Sequence, residues 1–248
     1  MGQPRLSDAT RPAFYALAPG GWRDYVTLLH PPYTAWHLAY VVIGAALAPQ
    51  WRPGILGLAL GAFFLGMGIA AHALDELRGR PLQTRIPSRV LVALAGVSLA
   101  GAAAVGIGTA AHTSLWLLVF VGAGAFIAAA YNLELFGGRF HGMLWFALGW
   151  GALPVLATYF ACAETIRAEA LAAALFAALV SCAQRVLSTP VRQGRREVEA
   201  VGGTIRLKDG SELQVTRETI SGPAERGLRL LAAAMVALAV ALVLVRVG

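Results

Sequence analysis

The sequence predicts an all-α protein, a polytopic membrane bundle of about seven transmembrane helices with a small cytoplasmic β-hairpin inserted before the last helix. Three observations support this fold class. Hydrophobic residues make up 58% of the 248 residues and charged residues 13%, whereas soluble domains contain roughly 45–50% and about 25%. The apolar residues are concentrated in long runs. One polar loop carries the alternating pattern of a hairpin around an Asp-Gly pair.

This composition excludes an ordinary soluble enzyme and a disordered tail, and its mean hydropathy is +0.66. Two cysteines cannot build a disulfide framework. The net charge of +7 does not indicate a nucleic-acid partner, because nineteen of the twenty basic residues are arginines that cluster between apolar runs. Such clusters are typical of the loops of membrane proteins.

Seven apolar runs approach the length of about 20 residues that a helix needs to cross a bilayer. They are rich in Ala, Gly, Leu and Val, and their small residues permit the close helix packing found in lipid. We therefore predict transmembrane helices at 33–49, 54–73, 90–110, 114–131, 142–163, 168–187 and 228–247.

The basic residues predict the orientation of the bundle. With a cytoplasmic N-terminus, seventeen of the twenty basic residues fall on the cytoplasmic side, and only Arg52, Arg167 and Arg246 fall outside. This asymmetry is the positive-inside signal, so we expect an integral protein of the plasma membrane with helices one to six within 33–190. Residues 1–32 form a cytoplasmic arm, whose mixed aromatic and basic residues fit either an interfacial helix or an irregular segment.

The loop at 191–227 is polar and precedes the last predicted helix at 228–248. Asp209-Gly210 is a strong hairpin signal when apolar and polar residues alternate on both sides of it. The alternating apolar residues are Ile205, Leu207, Leu213 and Val215. Because an isolated hairpin is marginally stable, we expect it to dock on the membrane domain or on a protein partner.

The first polar cluster lies at the cytoplasmic end of the second run. His72, Asp75 and Glu76 share one helix face at spacings of three and four residues. An imidazole and two carboxylates there could hold Mg²⁺, which prefers carboxylate and phosphate oxygens. Arg80 and Arg85 follow closely and could meet a phosphate. The alternative is a polar helix end with salt bridges in the loop.

Two further polar clusters fall on the same predicted face. Tyr131 and Asn132 end the fourth run, and they either point to the cytoplasmic mouth of the bundle or belong to a short loop with an interfacial tyrosine. Arg185 and Arg192 lie at the end of the sixth run. They bind either a diphosphate or the anionic headgroups of lipids.

The order of these elements resembles the UbiA superfamily of intramembrane prenyltransferases, which are helical bundles with a large central cavity. Asp75 falls where that family has its first acidic signature, and an Arg-Pro-Leu stretch follows at 80–82. Tyr131 and Asn132 take the place of a Tyr-Ser element after the fourth span. The resemblance covers roughly residues 28–195.

The chain also departs from the family pattern. The leading Asn-Asp of the first signature is Ala71-His72 here, and Gly79 stands where a further aspartate is expected. The second acidic signature, between the sixth and seventh spans, has no aspartate from 184 to 196. The family usually has nine spans and no hairpin.

The resemblance implies transfer of a prenyl group from a prenyl diphosphate to a small acceptor. Under this interpretation Asp75 and Glu76 are catalytic and hold Mg²⁺ together with His72. Tyr131 and Asn132 line the reacting end of the site and complete the catalytic set.

The substrate contacts follow from the same interpretation. Guanidinium groups match phosphate geometry, and the diphosphate would contact Arg80, Arg85, Arg185 and Arg192. The apolar chain would lie against three aromatic residues for which core packing or lipid contact is the other interpretation: Trp145, Phe146 and Trp150.

Two other classes of function remain open at this point. The chain could be a non-catalytic relative that binds an isoprenoid or another lipid, or that serves as a subunit of a membrane complex. A small transporter is disfavoured, because the centres of the third, fourth and seventh runs carry no charge. A hydrophobic tunnel ending at the acidic and basic cluster would favour the enzyme.

Overall fold

The computed structural model describes residues 11–248, and it consists mainly of helices. The part of the predicted N-terminal arm at 1–10 lies outside the described residues. In 11–248 the helices are α1 (Trp22–Leu28), α2 (Pro31–Leu47), α3 (Pro53–Leu77), α4 (Ser88–His112), α5 (Leu117–Asn132), α6 (Met143–Ala163), α7 (Ala168–Arg196) and α8 (Arg217–Val247).

A helix lies at each of the seven predicted apolar runs. Within the described part of the chain, five helices are long and apolar enough to cross a membrane by length and composition: α3, α4, α6, α7 and α8. Helix α5 is apolar but has 16 residues, and α2 has 17. The helical membrane fold is therefore supported, whereas the count of seven spans stays a prediction.

Helix α2 lies at the centre of the bundle and packs against α6 and α8. Trp36 and Tyr40 are fully buried there, and the Trp36 indole donates to the Tyr40 hydroxyl at 2.7 Å. The helices approach closely at Gly44, where an added Cβ would stand 2.4 Å from the carbonyl oxygen of Val155. Small residues thus permit this packing, as expected for helices in lipid.

Two π-helical stretches interrupt the regular helices, at Phe64–Ala71 in α3 and Ala147–Ala152 in α6. In the second stretch, an added Cβ at Gly151 would stand 2.6 Å from the carbonyl oxygen of Ala177, so glycine lets α6 approach α7. Such π-helical bulges occur often at functional sites. Here each one carries, or leads directly to, residues of the cavity described below.

The loops gather at two ends of the bundle. At one end Arg52 pairs with Glu164 at 3.1 Å. At the other end Arg78 pairs with Glu134 at 2.8 Å, and Arg195 pairs with a carboxylate of α8. All segments predicted to be cytoplasmic and described by the structure lie at this second end, which we call the basic end. The assignment of that end to the cytoplasm of a cell remains a prediction.

The predicted hairpin is confirmed. Strands β1 (Thr204–Arg206) and β2 (Glu212–Gln214) pair antiparallel with Ile205 opposite Leu213. Gly210 in the turn has a φ of 84°, which glycine adopts without strain. Hydrogen bonds from Ser211 lower the pKa of Asp209 in the same turn.

The helices that flank the hairpin are longer than predicted. Helix α7 continues to Arg196 and α8 begins at Arg217, so the connecting loop spans 197–216 instead of 191–227. Thr216 caps α8 through reciprocal hydrogen bonds with Thr219. Pro223 lies inside α8. Apolar content locates the membrane-crossing part of a helix and misses its polar extension.

Candidate functional site

A polar cavity of about 140 Å³ opens near the basic end, between α2, α3, α6 and α7, the end of α5 and the segment at 12–15. It contains most of the residues that the sequence analysis selected. The predicted residues that line it are His72, Asp75, Tyr131, Asn132, Phe146, Trp150, Arg185 and Arg192. Side chains that are distant in the sequence therefore meet in one place.

Helix α7 supplies the positive charge of the cavity. Arg185, Arg192 and Arg196 all line it, because spacings of seven and four residues, two turns and one turn, place them on one helix face. Among the described residues, Asp75 is the only carboxylate of the lining, and none of these three arginines forms an ion pair with a described carboxylate. The lining is thus net positive and suited to an anion.

Aromatic rings form the wall beside these arginines. Phe146 and Trp150 stack with their ring centroids 5.6 Å apart and an interplanar angle of 13°. The Tyr131 ring lies 4.5 Å from that of Trp150. The Arg185 guanidinium carbon lies 5.7 Å from the centroids of both Tyr131 and Phe146, and this arginine donates to the Tyr131 hydroxyl. The faces of these rings can therefore accommodate a cation.

Histidines also line the cavity. The rings of His30 and His72 lie 4.0 Å apart, and the His72 Nδ1 is 3.0 Å from the carbonyl oxygen of Gly68. His30 precedes α2 in the left-handed region, with a φ of 47°. Burial first, then the charges of His72 and Arg196, lower the pKa of His30 well below its ordinary value. A neutral imidazole at this position adds no further positive charge to the cavity.

The segment at 12–15 covers the cavity from the basic end. Arg196 Nε donates to the carbonyl oxygen of Pro12 at 3.2 Å, and the guanidinium carbon of Arg229 lies 4.9 Å from the Phe14 ring centroid. Tyr15 packs against His30 with a ring-centroid distance of 5.3 Å, and burial raises the pKa of its hydroxyl. The segment is therefore part of the site.

A second, apolar pocket of about 120 Å³ lies next to the polar cavity, between α3, α4, α5 and α6. Its lining is almost entirely aliphatic and aromatic, with Phe63, Leu99 and Val121 on three of its helices. Trp150 lines both the pocket and the cavity. An apolar space therefore lies on the other side of Trp150 from the arginine-lined cavity.

Four predicted site residues do not line the cavity. Glu76 is fully buried, and its carboxylate accepts hydrogen bonds at 2.9 Å from the backbone of Leu82 and Thr84 and from the Thr84 hydroxyl. Arg80 donates to the carbonyl oxygen of Ile86 at 2.6 Å and to a serine hydroxyl. These two side chains therefore stabilise the loop after α3.

The other two residues, Arg85 and Trp145, also contact protein groups outside the cavity. The backbone N–H of Arg85 donates to Asp24 at 2.9 Å, which ties the loop to α1. Trp145 packs on Phe140 with a ring-centroid distance of 4.7 Å. For Trp145 the packing interpretation fits this geometry better than contact with a substrate chain.

The donor set of the cavity does not suit the expected Mg²⁺. Asp75 is its one carboxylate, since Glu76 is engaged by the loop, and no group of three or more His, Cys, Asp and Glu within 11–248 is arranged to hold a metal ion. Octahedral Mg²⁺ prefers carboxylates and phosphate oxygens. The predicted Mg²⁺ site thus receives no support from these residues, and no reaction step is derived through a metal.

Sequence reasoning missed several cavity residues. His30, just before α2, is followed by Tyr33 and His37 at spacings of three and four residues, and Gln184 and Arg196 extend the polar face of α7. The helical spacing of these residues could have predicted that they share a face. The contribution of the segment at 12–15 carried no such signal, because it depends on contacts between distant parts of the chain.

No protein-family model, curated protein or solved structure matches this chain. The fold and the site define an integral membrane helical protein that has a basic, aromatic cavity next to an apolar pocket.

Proposed function

We propose that the protein is a UbiA-like prenyltransferase of the membrane, which transfers a prenyl group from a prenyl diphosphate to a small acceptor. The observation that carries the proposal is the position of Trp150, which lines both an arginine-lined cavity and a neighbouring apolar pocket. A prenyl diphosphate has the matching form, with a small, highly charged head and a long apolar chain. The order of motifs along the chain agrees with this assignment.

The arginines of α7 bind the diphosphate in this proposal. Arg185, Arg192 and Arg196 provide planar guanidinium groups, which pair with phosphate oxygens in a bidentate manner. Because the lining contributed by residues 11–248 contains a single carboxylate, these groups supply the charge that stabilises the leaving diphosphate. Asn132 donates to the carbonyl oxygen of Ala128 at 2.7 Å and shapes the same wall.

The transfer step breaks the bond between C1 of the prenyl group and the diphosphate oxygen, and the bonding electron pair leaves with the diphosphate. The faces of Tyr131, Phe146 and Trp150 stabilise the positive charge that develops at C1. The acceptor donates an electron pair to C1 and forms the new bond. Asp75 takes the proton that the acceptor releases, since it is the carboxylate that faces the cavity.

Binding is the first test of the proposal. The purified protein in phosphatidylcholine nanodiscs is titrated with geranylgeranyl diphosphate, with geranylgeraniol and with inorganic diphosphate. We expect the complete substrate to bind at least ten times more tightly than either fragment. Equal affinity for geranylgeraniol would contradict the role of the arginines, and no binding of any of the three would contradict the proposal as a whole.

Turnover separates the enzyme from its main alternative, a protein that binds an isoprenoid or another lipid without reaction. The departures from the acidic signatures favour that alternative. With water as the acceptor, we expect slow, time-dependent formation of geranylgeraniol and inorganic diphosphate, and its loss in Arg185→Gln. Tight binding with no product in the wild type would establish the non-catalytic role.

A further inference from the structure

Two buried polar groups at the inner end of the cavity lack a well-formed hydrogen bond within residues 11–248. They are Nε2 of His37 and Oε1 of Gln184; the two side chains lie near each other, but neither atom meets hydrogen-bond geometry with any described group. Both side chains line the cavity, and both residues are nearly inaccessible, at 3% and 4% exposure. A buried polar group without a partner destabilises the protein, so a ligand that pairs with both atoms is favoured there.

The polar groups one turn deeper are already paired, which marks the closed end of the cavity. The Tyr40 hydroxyl accepts from the Trp36 indole at 2.7 Å and from the Ser181 hydroxyl at 3.3 Å. His37 therefore lies at the boundary between a satisfied core and the open cavity. Its ring is 6.3 Å from that of Phe146, in an edge-on arrangement.

We propose that His37 and Gln184 form a binding subsite for a neutral hydroxyl group on an apolar body, and that this is the acceptor subsite of the enzyme. The claim that the bound hydroxyl compound is the acceptor rests on the proposed function. The claim that a ligand binds here rests only on the two buried polar atoms. His37 and Gln184 are positioning residues here, since they orient the ligand and take no part in bond formation.

The chemistry of the two atoms selects a hydroxyl. The amide oxygen of Gln184 only accepts, so the ligand must donate to it. The Nε2 atom of an imidazole donates in one tautomer and accepts in the other, and a hydroxyl group serves both cases. A carboxylate has no proton to donate to Gln184, and a phosphate is directed to the arginines nearer the basic end. The stacked rings of Phe146 and Trp150 complete the subsite with an apolar wall.

Photoaffinity labelling tests the subsite without requiring knowledge of the natural acceptor. The probes are a diazirine-bearing benzyl alcohol and its methyl ether, which differ only in the hydrogen-bond donor. We expect the alcohol to label peptides of α2 and α7 that contain His37 or Gln184 at least ten times more than the ether, in wild-type protein without prenyl diphosphate. Equal labelling by the two probes, or labelling elsewhere only, would overturn the subsite.

Variants provide the matched comparison. Gln184→Leu keeps the size of the side chain and removes the acceptor, so we expect labelling by the alcohol to fall about tenfold. Gln193→Leu is the same substitution at an exposed position of the same helix, and its labelling should equal that of the wild type. Undiminished labelling in Gln184→Leu would overturn the assignment.

A second pair of variants, at His37 and His112, tests the subsite even if Gln184→Leu does not fold. His37→Phe should lose the preference for the alcohol, whereas His112→Phe, at an exposed position near the other end of the bundle, should retain it. Geranylgeranyl diphosphate binding is measured on the same wild-type sample. Alcohol-specific labelling without that binding would sustain the subsite and reject the prenyltransferase; binding of the diphosphate without such labelling would do the reverse.

Discussion

The loop at 78–87 and the polar cavity begin from adjacent residues and use charge in opposite ways. Glu76 faces the loop, where three hydrogen bonds at 2.9 Å satisfy its carboxylate. Asp75 faces the cavity, where arginines without an ion-pair partner among the described residues line the wall. In the loop, the charge of Glu76 stabilises the fold. In the cavity, the charges of the arginines remain available for a ligand.

The difference shows that a motif does not assign a role to each of its residues. His72, Asp75 and Glu76 share a helix face by spacing, yet one of the two carboxylates supports the loop while the other lines the cavity. Likewise, Arg80 donates a hydrogen bond within the loop, whereas Arg192 lines the cavity. Substitutions on the two sides should therefore affect different properties.

The largest expected effect is on the stability of the loop. Glu76→Ala leaves the two backbone donors and the Thr84 hydroxyl without their buried acceptor, so we expect the free energy of unfolding to fall by about 3 kcal/mol. Thermal unfolding in detergent measures the change. Glu76→Gln retains an acceptor oxygen and should lose less. Wild-type stability in Glu76→Ala would contradict the structural role.

The next effect concerns binding through the cavity. Arg192→Gln removes one charge-assisted contact to the diphosphate, worth about 1.5–3 kcal/mol, so we expect geranylgeranyl diphosphate to bind roughly 10- to 100-fold more weakly. Thermal stability should remain that of the wild type, because Arg192 has a single 3.4 Å hydrogen bond to Thr189. Arg139→Gln, at an exposed position outside the cavity, is the matched control and should bind normally.

A smaller effect separates the arginines of the loop from those of the cavity. Arg80→Ala removes hydrogen bonds to the Ile86 carbonyl and the Ser88 hydroxyl, which should lower the unfolding free energy by about 1 kcal/mol. Binding of geranylgeranyl diphosphate, measured by the same titration, should be unchanged. A tenfold weaker affinity in Arg80→Ala would place this residue in the diphosphate site after all.

Much of the fold could be predicted from hydropathy alone. Each apolar run became a helix, and the Asp-Gly pair marked the hairpin turn. The helix ends were harder to predict, since α7 extends beyond its predicted end to Arg196 and α8 starts before its predicted beginning, at Arg217. These polar extensions are stabilised by caps and tertiary contacts that a hydropathy average does not detect.

The candidate site was predicted in part, because residue type and helical spacing indicate a face but not its partner. Asp75, Tyr131 and Arg185 meet in the cavity as expected. The burial of Glu76 under its own loop depends on the backbone path of 78–87, which includes the left-handed residues Arg80 and Gln83. Spacing along a helix contains no information about such a path.

The most direct measurement is the affinity of Asp75→Asn for geranylgeranyl diphosphate in the presence of EDTA. Arginines bind the diphosphate in this account, so removal of the Asp75 carboxylate, the only one that residues 11–248 contribute to the lining, should tighten binding about threefold. Prenyl transfer to water should fall in the same variant, because the proton acceptor is lost. Weaker binding of Asp75→Asn, or wild-type binding that disappears with EDTA, would contradict the account and restore a metal-dependent site.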